Sequence, residues 1–134
     1  MRGSVIMSHK LIKESGGLGI VIAFTGVVQA QDVDKLQKQI NSDDGFTQLR
    51  YQIWDFSKAD EINISMDEIQ DIAMQTAVAA SRNPKLRIAI IPRKTSQNVL
   101  GKTFQTFEKV WGPYEAKSFR DIDLARDWGM RRKK

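Results

Sequence analysis

Apolar and polar positions along the chain follow two rhythms, one of period two and one of period 3.6. Lys10 to Ser15 alternates weakly, Gly16 and Gly17 punctuate it, and Gly19-Ile-Val-Ile-Ala-Phe-Thr25 follows as a β-branched run. Two such runs around a glycine pair predict an opening β-hairpin with antiparallel strands. Over 31–41, Val33, Leu36 and Ile40 recur at helical spacing, with Asp32 and Asp34 in the first turn, where the helix dipole favours anions. Asp43-Asp44-Gly45 ends that helix. Leu49 to Phe56 reads as a second buried strand, and Ala59 to Ile64 as the linker to the next helix.

Ser65-Met-Asp-Glu68 has the spacing of a capping box, in which the Ser hydroxyl accepts from an amide one turn in and the Glu reaches back to the cap's own N–H. From Met66 onward Ile69, Ile72, Ala73, Thr76, Ala77 and Ala80 share one face, until Asn83-Pro84 stops the run. Leu86 to Ile91 predicts a short strand. A further helix over 96–111 presents Leu100, Phe104, Phe107 and Trp111, and Gly112-Pro113 terminates it. Tyr114 to Phe119 is the last strand, after which Asp121 caps a closing helix that presents Ile122, Leu124, Ala125 and Trp128. The order β-β-α-β-α-β-α-β-α predicts one α/β domain. Its sheet is mixed and mainly parallel, opened by the hairpin and flanked by about four helices through right-handed crossovers.

Composition narrows the class without changing that picture. A chain of 134 residues has room for one proper core. No window approaches the roughly 18 consecutive apolar residues of a membrane span. Cysteine is absent, which excludes disulfides, a thiolate nucleophile and thiolate metal sites. Residues 1–6, beginning Met1-Arg-Gly-Ser4, read as a leader, 7–129 as the domain, and 130–134 as a basic tail; cytoplasm is the expected location. The net charge of +5 lies at the ends: without Arg2 and 131–134 the basic residues number 16, matching the 16 acidic ones. Within the body, residues 32–71 hold ten acids against four bases, and 82–120 hold nine bases against two acids. That segregation predicts a molecular dipole, with no specific nucleic-acid partner.

The Gly-ended hairpin, the Asp-bearing first helix, Trp54-Asp55-Phe56-Ser57 at the close of a central strand and Phe119-Arg-Asp-Ile-Asp-Leu-Ala-Arg-Asp-Trp128 at the end together resemble the SpoIIAA-like proteins. These are bacterial relatives of anti-sigma-factor antagonist (STAS) domains and are similar to lipid-binding Sec14-type domains. The resemblance covers the chain from about Lys10 to Trp128. It implies a small non-enzymatic regulatory or ligand-binding module. In the wider family a serine at the start of the helix after the central strand, within an Asp-Ser-Ser-Gly-like sequence, is phosphorylated. This chain departs there: Asp55-Phe-Ser57 is followed by a seven-residue linker and then Ser65, so Ser57 and Ser65 are the candidate phospho-acceptors.

Ser65 has a competing duty as an N-cap; Ser57 has none. The carboxyl ends of parallel strands would bring Asp55 and Ser57 near Pro92-Arg93-Lys94-Thr95-Ser96. There Arg93, Lys94, Thr95 and Ser96, with Asp55, form a candidate anion or ligand site, for which solvated loop residues are the simpler account. Met74 and Val78 fall off the main apolar face of their helix and are a candidate contact, as a dimer surface or the wall of a lipid cleft, unless a neighbouring helix half-covers them. His9 has no partner pattern, and the carboxylate pairs Asp60-Glu61 and Asp67-Glu68 lack metal-selective spacing. No Walker or dinucleotide fingerprint and no grouping of nucleophile, base and orienter is present. The expectation is a cytoplasmic, non-enzymatic binding module without cofactor, whose partner is a protein or a small apolar or anionic ligand; homodimerisation is compatible with it. The alternative is a peripheral membrane or lipid-binding protein using an apolar cleft and the basic tail.

Overall fold

The computed structural model describes residues 6–93 and 114–131. Two strands open it, β1 (Ser8–Glu14) and β2 (Gly19–Gln29), followed by α1 (Ala30–Asn41), β3 (Tyr51–Asp55), β4 (Ala59–Asn63), α2 (Met66–Ala80), β5 (Arg87–Ile91), β6 (Glu115–Ser118) and α3 (Ile122–Met130). The helix expected over 96–111 lies outside the described residues. β1 and β2 pair antiparallel, with Leu11 opposite Ile22. Their connection is the 3₁₀ turn Ser15–Gly17, where Gly16 and Gly17 take φ of 64° and 90°. Those left-handed values cost a glycine little, which is why the pair punctuates the sequence there.

All later pairings are parallel, and the sheet runs β1-β2-β3-β5-β6 with β4 beside β2. Each strand-helix-strand unit steps one way along the sheet, so right-handed crossovers leave α1 and α2 on one face. Beneath them lie Ile20, Ile22, Phe24, Trp54, Ile88 and Ile90. The alternate positions Val21, Tyr51, Ile53, Ala89 and Ile91 face the other way, under Ala125 of α3. Cover on both faces explains why β5 is buried at every residue and reads as an unbroken apolar run. The close approach of α3 depends on Gly129, where a Cβ would stand 2.5 Å from that of Tyr51.

One element departs from the sequence reading. Residues 59–63, expected within a linker, form β4, which continues the path of β3 and pairs parallel with the far end of β2 (Val28 opposite Ile62). β2 is long enough to serve both strands in turn, and its register shifts between Gly26 and Val27. The apolar period of β4 is faint because it pairs on one side only: Asp60, Glu61 and Asn63 are exposed, and Ala59 is its one fully buried residue. The closing helix ends at Met130, which packs against the second-face cluster.

Candidate functional site

Because β3, β5 and β6 are parallel, their carboxyl ends meet at one edge of the sheet. At that edge β3 closes with an Asx turn: the Ser57 amide donates to Asp55 Oδ1 at 2.9 Å, and the Ala59 amide donates to the Phe56 carbonyl at 3.1 Å. The Phe56 amide still donates to the Ile91 carbonyl at 2.8 Å, so the chain leaves the β3–β5 ladder only at Ser57. This corner carries it across to β4 and leaves Ser57 half-buried on the rim of an open groove of about 1040 Å³.

Asp55, Ser57 and Arg93 line that groove together, as the strand topology predicts. Lys94, Thr95 and Ser96 lie outside the described residues. The far wall comes from residues that the sequence did not assign to a site: Lys117, Arg120 and Asp121, the last expected only as a helix cap, at the junction of β6 and α3. The available signal was topological, since a parallel last strand must end beside Asp55 and Ile91. Asp121 is committed to capping, accepting from the amides of Asp123 at 2.7 Å and Leu124 at 3.4 Å. Lys117 Nζ sits 5.4 Å from the centre of the Phe119 ring. Three cations, Arg93, Lys117 and Arg120, therefore share the groove with three carboxylates, Asp55, Asp121 and Asp123. Such a mixed, wet surface suits a polar partner or a phosphate held by arginine better than it suits a buried reaction.

Ser65 is placed differently. Its hydroxyl accepts from the Glu68 amide at 3.2 Å while its own amide donates to Glu68 Oε1 at 2.9 Å, which completes the capping box at the start of α2. It does not line the groove, and β4 separates it from Ser57. Met74 and Val78 lie elsewhere again, exposed along a shallow groove between α1 and α2. His9 is an exposed residue of β1.

Between α1, α2 and the sheet there is an internal cavity of about 20 Å³, lined chiefly by apolar groups. That is room for about one water and far short of an acyl chain. It borders a buried polar cluster: Gln37 Nε2 donates to Thr76 Oγ1 at 2.6 Å and to the Ile72 carbonyl at 3.3 Å. Nearby, Trp54 Nε1 donates to Gln52 Oε1 at 3.0 Å.

A charged cluster ties the two ends of the chain together where β3 begins. Arg126 of α3 holds Glu14 through Nε at 2.8 Å and Nη2 at 3.1 Å, and the Tyr51 hydroxyl donates to the same carboxylate at 2.6 Å. The Arg126 hydrogen bonds keep the Glu14 carboxyl below its ordinary value, in spite of opposing desolvation. Burial, helped by the Glu14 bond, pushes the Tyr51 phenol up. Among the described residues no three His, Cys, Asp or Glu side chains gather as a metal ion would need, and no helix is long and apolar enough to cross a membrane.

No family model matches the chain, and no curated protein matches it. Solved structures do. An uncharacterised protein of the DUF3478 family with a SpoIIAA-like fold, from Shewanella loihica PV-4, matches at 16% identity and a TM-score of 0.53, over 96% of this chain and 97% of the other. The anti-sigma factor antagonist SpoIIAA in its unphosphorylated form matches at 13% identity and a TM-score of 0.55, over 93% of this chain and 100% of that one. At such identities the likeness speaks for architecture. With a hairpin-opened, otherwise parallel six-stranded sheet under helices on both faces, this chain has a SpoIIAA-like fold.

Proposed function

We propose that this chain is a non-enzymatic regulatory module that works by binding a protein partner across the groove at the β3–β4 corner. The observation that carries this reading is the placement of Ser57, half-buried on a rim that also presents Arg93, Lys117 and Arg120. The fold it shares with an anti-sigma factor antagonist supports the same class of activity. Ser57 is the better candidate acceptor for phosphate, because Ser65 is spent on its cap and modifying it would disturb α2. A phosphoryl group on Ser57 would add close to two negative charges to a groove in which three cations meet three carboxylates, and so would turn its balance acidic. A small anion bearing phosphate or carboxylate would use the same cations. The lipid-binding alternative finds no support in the internal cavity, which is too small for a chain of methylenes.

The test places a photo-crosslinking amino acid at position 57 and, as a control, at exposed Lys85, in cells of the native host. One discrete protein adduct from position 57, absent at position 85 and lost in the Arg93→Glu/Arg120→Glu double variant, is the expected result. Equal adducts from both positions, or none from position 57, would remove the reading. With the crosslinking amino acid moved to exposed Leu124 on the same groove, Ser57→Glu should change adduct yield severalfold where Ser57→Ala does not.

A further inference from the structure

α2 buries Ile69, Ile72, Ala73, Thr76, Ala77 and Ala80 on its inner side, so a helix of this kind would be polar on its outer side. Two positions break that expectation: among exposed Asp67, Glu68, Gln70, Asp71 and Gln75, Met74 is 44% exposed and Val78 73% exposed, one turn apart. The two open onto a shallow groove of about 940 Å³, bounded by Lys38 and Asn41 of α1 and by Arg82 just beyond α2. Charge is ordered along the same stripe. Exposed Asp67 and Asp71 precede the apolar pair, and exposed Arg82 follows it. At about 100° per residue, Asp67, Asp71, Met74 and Val78 fall within an arc of roughly 60° on α2, and Arg82, two residues past its end, borders the same groove.

We propose that this face seats a second copy of the chain, with the two α2 helices antiparallel across a two-fold axis that passes between Met74 and Val78. Met74 of each copy then packs on Val78 of the other, and Asp71 of each faces Arg82 of the other. A single pattern is thus satisfied twice, as an isologous contact requires. The order of charges selects the occupant. Acid, apolar, apolar, base is complementary to itself only when reversed, whereas a foreign acidic helix that suited Arg82 and Lys38 would run against Asp67 and Asp71. Arg82 is placed to serve: its Nη2 donates to the Asn41 carbonyl at 2.8 Å and its guanidinium stacks 4.9 Å from the Phe46 ring centre, which fixes the side chain and leaves further N–H groups to donate.

Sedimentation equilibrium on the full chain, from about 5 to 500 µM, reads the association directly. The wild-type chain is expected to pass from monomer to dimer over this range. Val78→Glu, Asp71→Arg and Arg82→Asp should each weaken the dimer about tenfold or more, with far-ultraviolet circular dichroism showing the fold intact. The double variant Asp71→Arg/Arg82→Asp should recover association to within about threefold of wild type, because the swap restores both cross-axis pairs. A chain that stays monomeric at the highest concentration overturns the proposal. So does a dimer indifferent to Val78→Glu, which would place the contact elsewhere, on the open β1 edge for example. A dimer that folded single variants weaken and the double variant fails to restore overturns the antiparallel register.

Discussion

Asn83 shows how one buried polar side chain can hold a connection that apolar periodicity does not mark. It is 1% exposed, and its Nδ2 donates to the carbonyls of Phe46 and Leu49, both at 2.8 Å. Those carbonyls belong to the stretch between α1 and β3, so the residue that ends the α2 run also fixes where the central strand begins. Asn83→Ala leaves the Leu49 carbonyl without its Asn83 donor, while the Phe46 carbonyl keeps the Leu49 amide at 3.1 Å, and should cost about 1–3 kcal/mol by urea unfolding, the cost of one unmet group. A loss under half of the lower figure would show that water replaces the amide. Glu14 gives a prediction in pH. Its carboxyl titrates below the ordinary value because Arg126 and Tyr51 hold the ionised form. The pair's stability is therefore fully present above the ordinary glutamate range, near about 4.3. It is lost as pH falls through the lowered folded value, because the unfolded chain takes up the proton first. Glu14→Gln should destabilise by about 1–2 kcal/mol at pH 7, a figure kept small because Arg126 is 39% exposed. The gap between the two melting curves should close on the acid side. A gap independent of pH would assign the loss to packing.

Elements with a chemical start signal were legible, and those without one were not. Ser65 and Glu68 gave away the start of α2, and Asp121 that of α3, because a cap is written in local side-chain chemistry. The hairpin was legible from its glycine pair, and the parallel strands from their apolar runs. β4 was not, since a strand paired only to the overhang of β2 needs few apolar residues and offers no alternation to read. The candidate site divides in the same way: Asp55, Ser57 and Arg93 could be placed from topology, whereas Lys117 and Arg120, exposed residues with neither an apolar nor a capping signal, join them only because the parallel last strand ends at the same edge. The cap at α2 can be tested separately from any functional role of its serine. Ser65→Ala should cost about 1 kcal/mol and Ser65→Asp very little, because aspartate caps as well as serine does. Equal losses from the two changes would count against capping as the role of this hydroxyl.

At the scale of the whole molecule the two sheet faces are unequally insured. One is covered by α1 and α2 together, while among the described residues the other is covered by α3 and its flanks. The late helix is held to the sheet by a buried cation. Arg87 is 6% exposed; its Nη1 donates to the carbonyls of Trp128 and, at 2.6 Å, of Arg131, and its guanidinium lies 5.3 Å from the Trp128 ring centre. At the other side of the helix Arg126 grips Glu14, a contact spanning 112 residues that joins the first strand to the last helix. Removing α3 would expose Val21, Tyr51, Ile53 and Ile91 together. At about 1.5–3 kcal/mol for each large side chain returned to water, that loss rivals the whole stability of a domain this size, about 5–15 kcal/mol. A chain ending at Arg120 should therefore lose its cooperative thermal transition, and a peptide spanning 119–134, added in trans, should restore it in proportion to concentration by mass action. A truncated chain that melts cooperatively within a few degrees of the intact one would mean that α1, α2 and the sheet fold as a unit and that α3 is an appendage, free to detach when a partner engages the groove at its amino end.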